Sequence, residues 1–113
     1  MTTVIIRKSK QGEYKSFTCM GHAGYKRFFF QKDLVCCAVS VLVINTVNSL
    51  EDLSKDITDE AVTTNEETGF IQCIFEKPLS EKGTLLLDSL VLGLSHIEEE
   101  YGTKYFKLTF EEV

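Results

Sequence analysis

Apolar and polar positions alternate over residues 2–7, with Val4 and Ile6 set against Thr3, Ile5 and Arg7, a pattern that predicts a strand. Turn chemistry at Gln11-Gly12 closes it, and residues 14–21 read as its hairpin partner. On that partner Phe17 and Cys19 point one way and Thr18 and Met20 the other, with His22 continuing the second face. Residues 24–32 read as loop. A long helix is predicted over about 33–54, apolar on every side in its first half and amphipathic at Val43, Val47 and Leu50 in its second. Residues 59–64 and 70–75 form a second predicted hairpin across Asn65-Glu66-Glu67-Thr68-Gly69, with Ile71, Cys73 and Phe75 on one face. Pro78 and Ser80 open a second helix whose core stripe is Leu87, Leu90, Leu94, Ile97 and Tyr101, capped by Gly102. Phe106, Leu108 and Phe110 alternate as a last strand.

The order β-β-α-β-β-α-β predicts an α+β fold, a mostly antiparallel sheet with two helices packed on one side. The length of 113 residues suits a single domain over 1–113. One small sheet cannot cover a helix that is apolar around its circumference, so residues 34–44 are expected to build a homodimer.

Composition narrows the function more than the fold. The net charge of −5, from 17 acidic and 12 basic residues, argues against direct nucleic-acid binding, which needs a basic face. It suits a basic peptide partner, whose encounter opposite charge speeds. The start of the chain lacks the basic-then-apolar pattern of a signal peptide, and the apolar run 34–44, broken by Ser40, is short for a bilayer. No membrane partner is expected. Four cysteines at 19, 36, 37 and 73 show neither C-x-x-C nor disulfide-framework spacing, which predicts reduced thiols and a cytoplasmic protein.

Candidate chemistry gathers at two places that the predicted loop joins. His22 stands at a strand end, and Cys36 stands in what reads as the first turn of the long helix, with Asp33 as its N-cap. An imidazole or a helix N-terminus favours the thiolate, the form of cysteine that attacks carbonyls. Cys36 as a small buried side chain is the bland alternative. Cys37 lies about 100° round the helix from Cys36, so both cannot face one imidazole, and it reads as packing. Cys19 and Cys73 read as core, and His96 as a solvated surface histidine. Adjacent helical cysteines diverge, so no metal is expected from His22, Cys36 and Cys37, and no cofactor is called for. Ser40, one turn after Cys36, either contacts the thiolate or substrate backbone or bonds back to its own helix. Oxyanion donors are sought among the backbone N–H groups of the helix start, that of Cys36 included.

The segments Gly21-His22-Ala23 and Asp33-Leu34-Val35-Cys36-Cys37-Ala38-Val39-Ser40 resemble the signature of the ribosomal-processing cysteine protease family, Prp. The likeness continues through Asn45-Thr46-Val47-Asn48-Ser49-Leu50 and ends near Ile97-Glu98-Glu99-Glu100-Tyr101. It implies a homodimeric cysteine endopeptidase with His22 and Cys36 as catalytic dyad. Its substrate would be the N-terminal extension of bacterial ribosomal large-subunit protein twenty-seven. Asp33 belongs to the family motif and is a candidate to orient His22. The spacing from His22 to Cys36 exceeds the family's, and Gln31-Lys32 stands where the family places glycine. Phe28, Phe29 and Phe30 in that stretch are candidates for a lid, an aromatic subsite or an interface. Two rival readings keep the same cleft: a non-catalytic ribosome-assembly or peptide-binding module, and a small-molecule thioester hydrolase.

Overall fold

A computed structural model describes residues 1–21 and 30–113, the side chains of residues 30–33 excepted. His22, Phe28 and Phe29 lie outside the described residues, as do the side chains of Phe30 and Asp33. The chain runs β1 (Thr2–Lys8), β2 (Tyr14–Met20), α1 (Phe30–Asp52), β3 (Val62–Asn65), β4 (Phe70–Ile74), α2 (Glu81–Tyr101) and β5 (Phe106–Glu112). The strands form one sheet in the order β3-β4-β2-β1-β5, antiparallel except for the parallel β1–β5 pair. This is the α+β arrangement that the alternating periods predict.

Register decides which side chains meet the helices. Ile6 pairs with Phe17 and Phe17 with Cys73, while Val4 pairs with Cys19 and Cys19 with Ile71. Facing residues on paired strands project from the same side, so these six make one apolar surface. Val35, Val39, Val43, Val47 and Leu50 of α1, with Leu87, Leu90 and Leu94 of α2, close on it as a single core. Phe75, just past β4, joins that core with its ring 6.0 Å from Phe17. On the opposite, uncovered face the buried Thr18 hydroxyl accepts hydrogen bonds from Arg7 and Gln72 at 2.8 and 3.1 Å.

Four features differ from expectation. The helix α1 begins at Phe30, not Asp33, because Phe30-Gln31-Lys32 contains no breaker and helix propagates once nucleated. Asp33 is therefore the fourth helical residue and cannot be the N-cap. Residues 59–61 are a 3-10 turn, so the first strand of the second hairpin starts at Val62. Tyr101, in the last position of α2, is 40 % exposed and stands outside the core. The stretch Leu34–Asp52 is long and apolar enough to cross a membrane by length and composition, contrary to the reading of residues 34–44 alone. Its row of buried valines identifies it as the core helix.

Candidate active site

The strand β2 delivers the chain to Gly21, whose backbone has φ +96°, a conformation that L side chains rarely adopt. A Cβ at this position would also collide with the Met1 carbonyl oxygen. Only glycine suits both demands, which explains the residue immediately before His22.

On the other side stands α1. Cys36 is half-buried, whereas Cys37, one step round the helix, is exposed, so the two thiols face different surroundings as helical geometry requires. Ser40 and Ile44 follow Cys36 at successive four-residue steps along one face. Cys36 is the seventh residue of α1, past the four open N–H groups that a helix offers at its start. Its own N–H is thereby committed to the helix, and the expectation that it serves as an oxyanion donor is overturned. The helix dipole acts over the first turn, and Cys36 lies beyond it.

Cys36 faces inward. Burial pushes the Cys19 thiol of β2 up to about 11, with a further rise from the charge of Cys36, which makes the two sulfurs electrostatic neighbours. Burial alone pushes Cys73 up to about 12. Both stay protonated near neutrality, as buried structural thiols do. His96 is exposed on α2.

Between α1, the end of β2 and the β3–β4 hairpin lies a cavity of about 380 Å³. Cys19, Ile44, Phe70 and Ile71 line it, with Thr64, Asn65, Glu66 and Gly69 of the hairpin. Gly21 and Ser40 also line it, so it touches both the strand end that leads to His22 and the helical face that carries Cys36. The hairpin's part in this wall escaped the sequence reading. The available signal was Phe70, a large apolar residue directly after the Gly69 turn, where a solvated hairpin end would be polar. The structure thus gathers Ser40 and Gly21 around one cleft, on the helical face that Cys36 shares with Ser40.

Comparison with known proteins agrees with this geometry. The model of the family described as cysteine protease Prp matches residues 1–106. A comparison with curated protein sequences finds no match. Among solved structures, an essential ribosomal processing protease Prp from Staphylococcus aureus, with a covalently linked product peptide, superposes with a TM-score of 0.83. It is 23 % identical and covers 98 % of this chain and 100 % of its own. A second structure of that protease, with a substrate peptide, gives a TM-score of 0.79 at 22 % identity, with coverage of 98 % and 100 %. A Streptococcus mutans protein reaches a TM-score of 0.84 at 25 % identity, covering 100 % of this chain and 99 % of its own. The family match runs from the first strand into the last, and the fold follows it throughout: this chain belongs to the cysteine protease Prp family.

Proposed function

We propose that this protease removes a short N-terminal extension from bacterial ribosomal large-subunit protein twenty-seven, with His22 as base and Cys36 as nucleophile. The observation that carries the reading is the cleft bounded at once by Gly21, which precedes His22, and by Ser40, one turn beyond Cys36. The Staphylococcus aureus relative is a ribosomal processing protease with a substrate peptide in one structure and a covalently linked product in another.

In the reaction, the His22 imidazole accepts the Cys36 proton, and the thiolate attacks the scissile carbonyl. Collapse breaks the C–N bond, and the imidazolium returns the proton to the leaving amine. Water, deprotonated by His22, then hydrolyses the thioester and frees Cys36. Asp33 orients His22, and Ser40 supports the substrate backbone. Phe28, Phe29 and Phe30 cover apolar residues of the peptide, and the net charge of −5 draws in its basic part. The site of action is the cytoplasm.

The working unit is a homodimer on α1. Leu34 and Val41, 42 % and 59 % exposed, lie seven residues apart on the side of the helix away from its buried valines. A second copy would bury that stripe. Light scattering at micromolar concentration tests it: twice the chain mass is expected, and a mass near 12.8 kDa overturns the dimer.

The decisive experiment incubates the protein with the host's own large-subunit protein twenty-seven and measures intact masses. A single new N-terminus is expected. An uncleaved substrate that copurifies supports the peptide-binding module, which the half-buried position of Cys36 would also permit.

A further inference from the structure

We infer that Cys36 and Cys19 form a reversible disulfide when the protein meets a hydroperoxide, which makes Cys19 the resolving thiol of an oxidative modification site. The loss of cleavage that follows rests on the protease reading above; the bond itself does not.

Placement follows from the two surfaces that face each other. The core-facing side of β2 carries Phe17 and Cys19, and Cys19 is only 3 % exposed. On α1 the fully buried Val35 and Val39 mark the side turned to the sheet. A helix turns about 100° per residue, so Cys36 lies about 60° from Val39 round the axis, on the flank of that buried side. Ser40, one turn beyond Cys36 on the same face, shares a cavity wall with Cys19. The charge of Cys36 raises the Cys19 thiol, an effect that needs the two sulfurs near each other with little water between.

The other two thiols are placed differently. Cys73 on β4 pairs with Phe17, and burial alone raises it, with no contribution from Cys36. Cys37 is exposed and turned about 100° from Cys36, so a bond between these neighbours would break the helix that carries both.

Exposure divides the chemistry between the pair. Cys36 is half-buried and open to small solutes, whereas Cys19 is held protonated by burial and does not compete for the oxidant. The Cys36 thiolate attacks the outer oxygen of the hydroperoxide, forming an S–O bond as the O–O bond breaks. The alkoxide, or hydroxide from hydrogen peroxide, takes a proton and leaves. The Cys19 sulfur then attacks the Cys36 sulfenic acid: the S–S bond forms, the S–O bond breaks, and the departing hydroxide takes the Cys19 proton to become water. The two thiols lose two electrons and the hydroperoxide gains them. Bridging brings the two Cβ atoms to about 3.5–4.5 Å, which draws the start of α1 onto the end of β2. It withdraws the Cys36 sulfur from any carbonyl and shields it from irreversible oxidation to sulfinic acid, and a dithiol reductant restores both thiols.

Hydrogen peroxide followed by intact mass spectrometry tests this on the Cys37→Ala protein, so that α1 carries one thiol. A loss of about 2 Da is expected, reversed by dithiothreitol. A tryptic digest without reductant should link residues 16–26, which hold Cys19, to residues 33–55, which hold Cys36. Cleavage should fall about tenfold or more on oxidation and return within about twofold on reduction. With Cys19→Ala added, the mass should instead rise by about 32 Da, and dithiothreitol should restore neither mass nor cleavage. Circular dichroism checks that variant, and Cys19→Val replaces it if it does not fold. A mass rise without the linked peptide in the Cys37→Ala protein overturns the inference, as does a link from Cys36 to Cys73 or between two copies. The linked peptide in a protein that cleaves nothing before oxidation supports the modification site while the protease reading fails.

Discussion

The helices α1 and α2 lie on the same face of the same sheet, yet they are terminated by different means. At the start of α2, the Ser80 hydroxyl accepts a hydrogen bond from the Gly83 N–H at 3.1 Å. The Asp56 carboxylate holds Ser80 in turn, accepting from its N–H at 2.9 Å and its hydroxyl at 2.8 Å. The other end stops at Gly102 with φ +77°, and the Glu98 side chain accepts from the Leu108 N–H at 2.6 Å to fasten the turn into β5. After α1 the turn is made by Lys55 at φ +60°, a conformation that suits glycine better than lysine. The two helices also differ in what lies outside the core. In α2 the stripe Leu87, Leu90 and Leu94 goes into the core, and Leu85 and Leu92 remain exposed. In α1 the valines enter the core and Leu34 and Val41 remain exposed. Both helices keep apolar surface outside the core. What sets α1 apart is that its Ser40 and Ile44 line the cleft, to which α2 gives no described residue.

That contrast breaks first at the nucleophile. Cys36→Ala should lower cleavage by on the order of 1,000-fold or more while leaving the thermal midpoint within a few degrees. Cys37→Ala should stay within about threefold of the parent in the same assay. His22→Ala should lose on the order of 100-fold or more, the contribution of a positioned base, and iodoacetamide should alkylate Cys36 more slowly in that variant. An active Cys36→Ala protein would end the distinction between the helices.

The scaffold side should show the opposite signature. Leu87 is fully buried, and Leu87→Ala should cost about 2–5 kcal/mol in urea unfolding, a large share of an ordinary domain's stability. Cleavage per folded molecule should be unchanged at temperatures where the variant remains folded. A selective loss of kcat would show that α2 does more than support.

The Asp56 clasp carries a smaller effect with a pH signature. Burial raises its carboxyl, but hydrogen bonds from the Ser54 hydroxyl and from the Ser80 N–H and hydroxyl outweigh this and hold it below the usual value. A carboxyl lowered on folding stabilises the protein above the unfolded value, about 3.9, and loses that contribution as pH falls through the folded one. Asp56→Ala should cost about 1 kcal/mol at pH 7, and the gap from the parent should close as pH drops below about 4. Urea titrations at pH 7 and pH 3 measure both.

The smallest change should be a gain. Lys55→Gly relieves the left-handed backbone and should add up to about 1 kcal/mol, giving α1 the kind of stop that α2 has. Urea midpoints of the two proteins decide it.

Most of the scaffold was legible along the chain because its signals are local. Val4 and Ile6 alternate against polar neighbours, Leu87, Leu90 and Leu94 repeat at the helical period, and Ser80 and Gly102 bracket α2 with cap chemistry. The thiol assignments followed the same logic: Cys19 and Cys73 fall on core-facing strand positions, and Cys37 is turned away from Cys36 by helical geometry. Where a local signal was absent, the expectation slipped. Asp33 has the right side chain for a cap, but nothing in Phe30-Gln31-Lys32 prevents the helix from starting earlier, and there it starts.

The cleft belongs to the other category. Cys19, Ser40 and Phe70 are separated by some 20 or 30 residues each, and no period or motif links them. Hydrophobic burial is non-directional, so a pattern of apolar residues states which face is buried and leaves open what buries it. Strand pairing supplies the missing choice: β2 between β1 and β4 puts Cys19 beside Ile71, and packing of α1 on the sheet brings Ile44 and Phe70 to one cavity. Residue order along the chain was enough for the elements and for the family to which the chain belongs. The shape of the cleft arose only when the sheet closed under the helix.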